Sequence, residues 1–184
     1  MSILFNDLHT QLLEYRPTDS VQSTFQTQIQ HYGQRKEILW AEYFNPGHIT
    51  VSALVLSPDQ KSVALIFHPF LKLWLQPGGH LETDDSSILD AAKREVLEEV
   101  SISDLSPLKA GIFDLDIHKI PENPKKNQPS HLHLDLRFLF QANTWDCKAS
   151  SEIKESKWVP LAEISQINTD NSVKRLISKI ESIS

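Results

Sequence analysis

One cysteine, one methionine and five glycines in 184 residues leave little material for several kinds of chemistry. Cys147 alone cannot close an internal disulfide, and a single thiol fits a reducing compartment. Basic residues are also in deficit: Lys and Arg number 18 against 24 Asp and Glu, a formal net charge of -6. That balance excludes a protein whose main task is gripping a nucleic-acid backbone, so no stable nucleic-acid complex is expected. Small anionic substrates stay open, because a bound metal can supply the missing positive charge. No apolar run approaches the roughly 20 residues of a membrane span. The opening "MSILFNDLHTQLLEYRP" lacks the basic start and apolar run of a signal peptide, so a cytoplasmic location without membrane association is expected.

What is present is an ordered alternation of periods. Leu4, Leu8 and Leu12 at helical spacing, stopped by Pro17, predict one amphipathic helix; Val21, Phe25, Ile29 and Tyr32 after "TDS" predict a second. "HITVSALVLS" and "SVALIFHP" are β-branched apolar runs around the turn "PDQK", a strand pair. "LWLQPGG" reads as a short strand entering a glycine turn, followed by a helix from about Ser86 to Val100 with Asp84 and Asp85 at its start, where negative charge suits the dipole. "GIFDLDIHKI" and "HLHLDLRFLF" alternate as strands with one polar face, separated by the loop "PENPKKNQPS". "SKWVPL" closes the strands and "NSVKRLISKI" is a last helix. Mixed strands and flanking helices in one domain follow, with residues 1–44 as a helical extension and 45–184 as the main domain.

The chemistry concentrates in "LQPGGHLETDDSSILDAAKREVLEEVSI". At about 100° per residue, Glu95, Glu98 and Glu99 fall within roughly a 100° arc, beside the apolar arc of Ile88, Leu89, Ala92, Val96 and Val100. Three like charges so close cost stability unless a cation compensates, and oxygen-only ligands suit magnesium or manganese rather than zinc. Alone, the stretch reads as a solvated acidic helix face. The preceding Gly78 and Gly79 turn the reading toward a ligand, since their carbonyls can coordinate a metal and their amides can face phosphate oxygens.

This stretch resembles the signature box of the Nudix hydrolases, with Gly79, Asp85, Arg94, Glu95, Val96, Glu98, Glu99 and Ile102 at the box positions. "GHITVSALVLS", "WLQPGGH", "HLHLDLRFLF" and "EIKESKWVPL" extend the resemblance to a bacterial subgroup, over about residues 45 to 165. The sequence departs from the pattern in three places. Asp85 replaces the usual upstream glutamate, the stretch from Gly79 to Arg94 is one residue longer, and Ser101 stands at the closing glycine. No carboxylate of the helix is lost.

The resemblance implies an α/β/α sandwich around a central mixed sheet. It also implies hydrolysis of a diphosphate linkage in a nucleoside diphosphate-linked or related small molecule, with Mg2+ or Mn2+ held by Glu95, Glu98, Glu99 and the Gly78 carbonyl. Glu95 and Glu98 are the first candidates for the base, with Glu152 on a late loop as a third. Gly79, His80, His133 and Arg137 are the expected substrate contacts, and Asp85 with Arg94 an expected structural pair.

The face shared by His131, His133, Asp135 and Arg137 has three readings: a polar network inside the sheet, a cleft wall where Arg137 or His133 meets phosphate, or a transition-metal site of His131, His133 and Asp135. His48 and His68 read as ordinary sheet histidines. Two other activities stay in view on the same fold. A nucleotide-binding sensor with weak catalysis is the alternative, opposed by the three retained glutamates. Isoprenoid diphosphate isomerisation needs a reactive cysteine, and Cys147 lies far along the chain from the box. The resemblance leaves the substrate open among oxidised nucleoside triphosphates, dinucleoside polyphosphates, nucleotide sugars and other diphosphates. The N-terminal helices suit a cover, a cap or a homodimer contact.

Overall fold

The structure, a computed structural model, describes residues 3–150 and 153–182. Its elements run α1 (Ile3–Glu14), α2 (Ser20–Tyr32), β1 (Gly47–Leu56), β2 (Ser62–His68), β3 (Leu73–Leu75), β4 (Gly78–His80) and α3 (Ile88–Val100). They continue with β5 (Leu105–Pro107), β6 (Asp114–Ile120), β7 (His131–Ala142), β8 (Ser156–Pro160) and α4 (Asn171–Glu181). The strands run in the order β3-β2-β1-β7-β5, with β4 on β1, β6 on β7 and β8 on β2. The β1–β2, β2–β3, β2–β8, β5–β7 and β6–β7 ladders are antiparallel, and a parallel bridge joins Trp74 to Thr169. This is the mixed α+β architecture the sequence leads one to expect.

The described residues form two compact units. In the first, made of 3–51, 79–92 and 110–138, α1 buries Leu4, Leu8 and Leu12, the stripe its spacing predicts. Helix α2 departs from its predicted stripe: Val21 is exposed, and Gln22 is buried beside Ile29. The reason is hydrogen bonding. The Gln22 side-chain carbonyl accepts from the Leu115 amide at 2.8 Å and the Tyr15 hydroxyl at 2.6 Å, and its amide donates to the Leu115 carbonyl at 2.9 Å. One glutamine thus fastens α2 to β6. Gly47 has its own local cause. A Cβ at that position would overlap the Leu132 backbone, and Leu132 donates its amide to the Pro46 carbonyl at 2.9 Å.

The second unit, 52–78, 93–109, 139–150 and 153–182, holds the apolar centre of β2 and α4. Val63, Ala64, Leu65 and Ile66 of β2 are buried, as are Val173, Leu176, Ile177 and Ile180 of α4, which Asp170 caps through the Val173 amide at 2.9 Å.

Helix α3 starts at Ile88, two residues later than its sequence suggests. Its first amides are held by Ser87, which accepts from Asp90 at 3.0 Å, and by Asp7 of α1, which accepts from Ile88 at 2.7 Å. It ends on Ser101, whose φ of 59° is the left-handed conformation and whose amide donates to the Leu97 carbonyl at 3.0 Å. Serine there bears the Cβ penalty that a glycine avoids, roughly 1–2 kcal/mol. Glycine also gains freedom in the unfolded chain, so Ser101→Gly should stabilise by a net ~0.5–1 kcal/mol, read as a higher urea midpoint. A lower midpoint would show that the serine side chain stabilises the turn by more than its strain costs.

Candidate active site

In the second unit, Arg94 and the three glutamates lie on the C-terminal half of α3, with Val96 and Val100 buried beneath. The Arg94 Nη1 donates to Glu95 Oε1 at 2.9 Å and to Glu98 Oε2 at 3.0 Å. The Gly78 amide, at the start of β4, donates to Glu99 Oε2 at 2.9 Å. The i, i+3, i+4 spacing therefore does bring the three carboxylates to one side of the helix, against a glycine backbone and one guanidinium. Their exposures differ: the Glu95 side chain is 11% exposed and that of Glu98 52%. Arg94 brings one positive charge to three negative ones, and every carboxylate donor is an oxygen. That donor set fits a hard divalent cation such as magnesium or manganese.

The chain that follows the strands is also fixed here. The Lys148 amide donates to the Val100 carbonyl at 3.0 Å and the Ser150 amide to the Glu99 carbonyl at 3.2 Å, so residues 148–150 run along the end of α3. Glu152, the expected third candidate base, lies outside the described residues.

In the first unit, Asp85 accepts from the Glu82 amide at 2.7 Å, and its own amide donates to the Glu82 carbonyl at 3.2 Å. This makes a closed turn before α3. Gly79 and His80 complete β4.

The polar face of β7 is built by register. Antiparallel pairing sets Asp114 opposite Arg137, Asp116 opposite Asp135, His118 opposite His133 and Ile120 opposite His131, so the charged side chains of both strands share a side. Arg137, 1% exposed, donates Nε to Asp135 Oδ2 at 2.8 Å, and its Nη2 lies 3.1 Å from Asp116 Oδ2. Asp114 stands 3.9 Å from Nη1, and Thr50 of β1 donates to Asp135 Oδ1 at 3.1 Å. Burial opposes the guanidinium charge, yet Asp135, Asp116 and Asp114 outweigh it and raise the Arg137 pKa. Asp116 also meets His118 Nδ1 at 2.9 Å.

Histidines extend this face. His48 of β1 has ring centroids 5.0 Å from His80, 4.9 Å from His131 and 4.9 Å from His133, and His118 lies 5.4 Å from His133. His48 is 1% exposed. Its Nδ1 stands 3.0 Å from the Tyr43 carbonyl, which can only accept, so Nδ1 bears the hydrogen and Nε2 the lone pair. Burial first, then the neighbouring His80 and His131, push the His48 pKa down to about 4, against the raising effect of the Tyr43 bond. Burial and then His118, His48, His80 and His131 push His133 down to about 2.

Both rings are therefore neutral at pH 7. A folded pKa below the unfolded value means that the unfolded chain takes up protons first, so stability is lost as pH falls below about 6.5 and the loss levels off near each folded pKa. Between pH 7 and 6 the two histidines should cost the metal-free protein about 1 kcal/mol, seen as a lower urea midpoint in chelator. A midpoint that rises over that interval would contradict their burial.

Sequence reasoning missed His48, Thr50 and His118 as members of this cluster. The available signal was parity: His48 and Thr50 alternate along β1 as His131, His133 and Asp135 do along β7.

The NUDIX domain family model matches residues 46–179. The chain is 36% identical over 93 residues to a protein of Lactococcus lactis subsp. cremoris (strain MG1363) named a probable DHNTP pyrophosphohydrolase. The alignment covers 50% of this chain and 53% of that one, so the chain spans about half the length of that relative. Among solved structures, a NUDIX-family hydrolase from Clostridium perfringens matches with a TM-score of 0.56 at 19% identity, over 74% of this chain and 98% of that one. The E. coli dihydroneopterin triphosphate pyrophosphohydrolase matches with a TM-score of 0.56 at 16% identity, over 71% and 92%. At these identities the two structures speak for the fold alone.

Proposed function

The chain belongs to the NUDIX family, and on that premise we propose that it hydrolyses a diphosphate linkage in a nucleoside diphosphate-linked or related small molecule, with magnesium or manganese as cofactor. The observation that carries the reading is the gathering of Glu95, Glu98 and Glu99 around Arg94 and the Gly78 amide. These three carboxylates, with the Gly78 carbonyl, would hold the ion. A bound divalent ion would supply neutralisation of phosphate charge and a more acidic water.

The protein's own part is to hold and move charge. Glu98, half exposed, is the better candidate to accept a proton from an attacking water, since the buried Glu95 has less access to solvent. Arg94 keeps the Glu95 and Glu98 carboxylates oriented, and the Gly78 amide does the same for Glu99. Asp85 shapes the turn before the helix. Of the expected substrate contacts, Gly79 is retained as a backbone donor to phosphate. Arg137 is enclosed by three aspartates, while His133, half-buried, packs among histidine rings.

The name of the Lactococcus relative makes dihydroneopterin triphosphate the first compound to try. The test is release of pyrophosphate or phosphate from that compound, nucleoside triphosphates, dinucleoside polyphosphates and nucleotide sugars, with magnesium or manganese and with chelator. Metal-dependent release supports a hydrolase. No release from any of them, with nucleotide still raising the melting temperature, would assign a nucleotide sensor on this fold.

A further inference from the structure

We propose that His48, His80 and His133 form a second metal site, a tri-imidazole centre for a borderline divalent ion of the zinc, cobalt or nickel class. The three residues offer ring nitrogens that all lie within 4.8 Å of one another. They come from three strands, β1, β4 and β7, so strand geometry rather than a flexible loop brings them together. Of the three readings the sequence leaves open for this face, one puts a transition metal on His131, His133 and Asp135. The structure changes that set: Asp135 is occupied by Arg137 and Thr50, and the ring nitrogens that gather within 4.8 Å of one another are those of His48, His80 and His133.

The strongest single observation is His48 Nε2. Its ring is held by a backbone carbonyl on Nδ1, which fixes the lone pair on Nε2, and that atom is buried with no hydrogen-bond partner among the described residues. A buried acceptor left without a donor costs roughly 1–3 kcal/mol, and sheet interiors seldom retain one without cause. Coordination would satisfy it. An imidazole whose other nitrogen is anchored on a carbonyl is also the usual way a metal-binding histidine is oriented.

Geometry leaves a short adjustment. Tetrahedral zinc at about 2.0–2.1 Å from each nitrogen spaces its ligands roughly 3.3–3.4 Å apart, so the rings need to close by ~1.5 Å at most. His80 and His133 are only half-buried, and rotation of their side chains supplies that movement. Three protein ligands would leave a fourth position open.

Charge favours a cation at this face. Asp114, Asp116 and Asp135 bring three formal negative charges to the single positive charge of Arg137, and His118 links Asp116 to the His133 ring. Nitrogen donors select against magnesium, so the two proposed centres sort their ions by chemistry: hard ions to the glutamates of α3, borderline ions to the imidazoles.

The test uses the metal-free full chain in millimolar magnesium, titrated with zinc against a chromophoric chelator and with cobalt followed by visible absorption. One tightly bound zinc per chain and the visible bands of a low-coordinate cobalt centre are expected. His80→Ala and His133→Ala should each weaken zinc by more than roughly 100-fold, beyond what loss of an orienting partner alone produces. His118→Ala and the pair Glu98→Gln with Glu99→Gln should keep the site. Circular dichroism establishes that each variant is folded, and His80→Ala, at the edge of the short β4, carries the test if His133→Ala is not. Absence of zinc binding by the folded wild type overturns the proposal. So does binding that survives His80→Ala but is abolished by the glutamine pair, which would put the ion on the carboxylates.

Discussion

Replacing Glu98 with glutamine should lower turnover by about 10^2–10^4-fold, the usual contribution of a positioned proton acceptor. The substitution keeps the shape of the side chain and removes its charge. Because the Glu98 side chain is 52% exposed and its pair with Arg94 is an i, i+4 surface contact, stability should change by only ~0.3–0.5 kcal/mol. The signature is therefore a collapse in kcat with little shift in melting temperature. Glu95→Gln should look different. Its carboxylate is buried against Arg94, so glutamine there should lower stability and turnover together. Loss of activity in Glu95→Gln with Glu98→Gln close to wild type would remove Glu98 from the role of base. Glu152, the third candidate base from the sequence, would then be the next carboxylate to substitute.

Part of the fold and of the site is legible in the sequence, and part is not. The gathering of the three glutamates was legible because it needs only the helical period and the residues of one element. The stripe of α1 was legible for the same reason. Helix α2 was legible as a helix but its buried face only in part, because periodicity counts apolar residues, and its buried anchor is Gln22, whose three side-chain hydrogen bonds include two to Leu115, 93 positions away. The start of α3 was blurred for a similar reason: one of its donors is satisfied by Asp7, 81 positions earlier. Strand β5, only Leu105–Pro107, has too few residues to show any alternation. Alternation along β7 revealed that four polar residues share a side. It could not reveal that β6 sets Asp114, Asp116 and His118 against them, or that β1 contributes His48 and Thr50, because those facts belong to register between strands. The same alternation predicted a polar face, and here that face is buried: His131, Asp135 and Arg137 are all below a tenth exposed.

That burial makes Arg137→Met the second large effect. Methionine fills much of the volume of arginine but leaves Asp114, Asp116 and Asp135 facing one another without a cation. Removing one partner of a buried ionic network typically costs about 3–5 kcal/mol, much more than the network as a whole contributes relative to apolar packing. For a chain of this size that is a fall of roughly 10 °C in melting temperature. Asp135→Asn in the Arg137→Met background should recover part of the loss, a rescue that simple loss of packing would not give, since it removes one of the stranded charges. Arg137→Lys keeps the charge but loses the fork that reaches Asp135 and Asp116 together, and should fall between the two. If instead Arg137→Met melted within a degree of wild type while the KM for the diphosphate substrate rose sharply, the guanidinium would be a phosphate ligand, and the polar interior would owe its stability to Thr50, His118 and the histidine cluster.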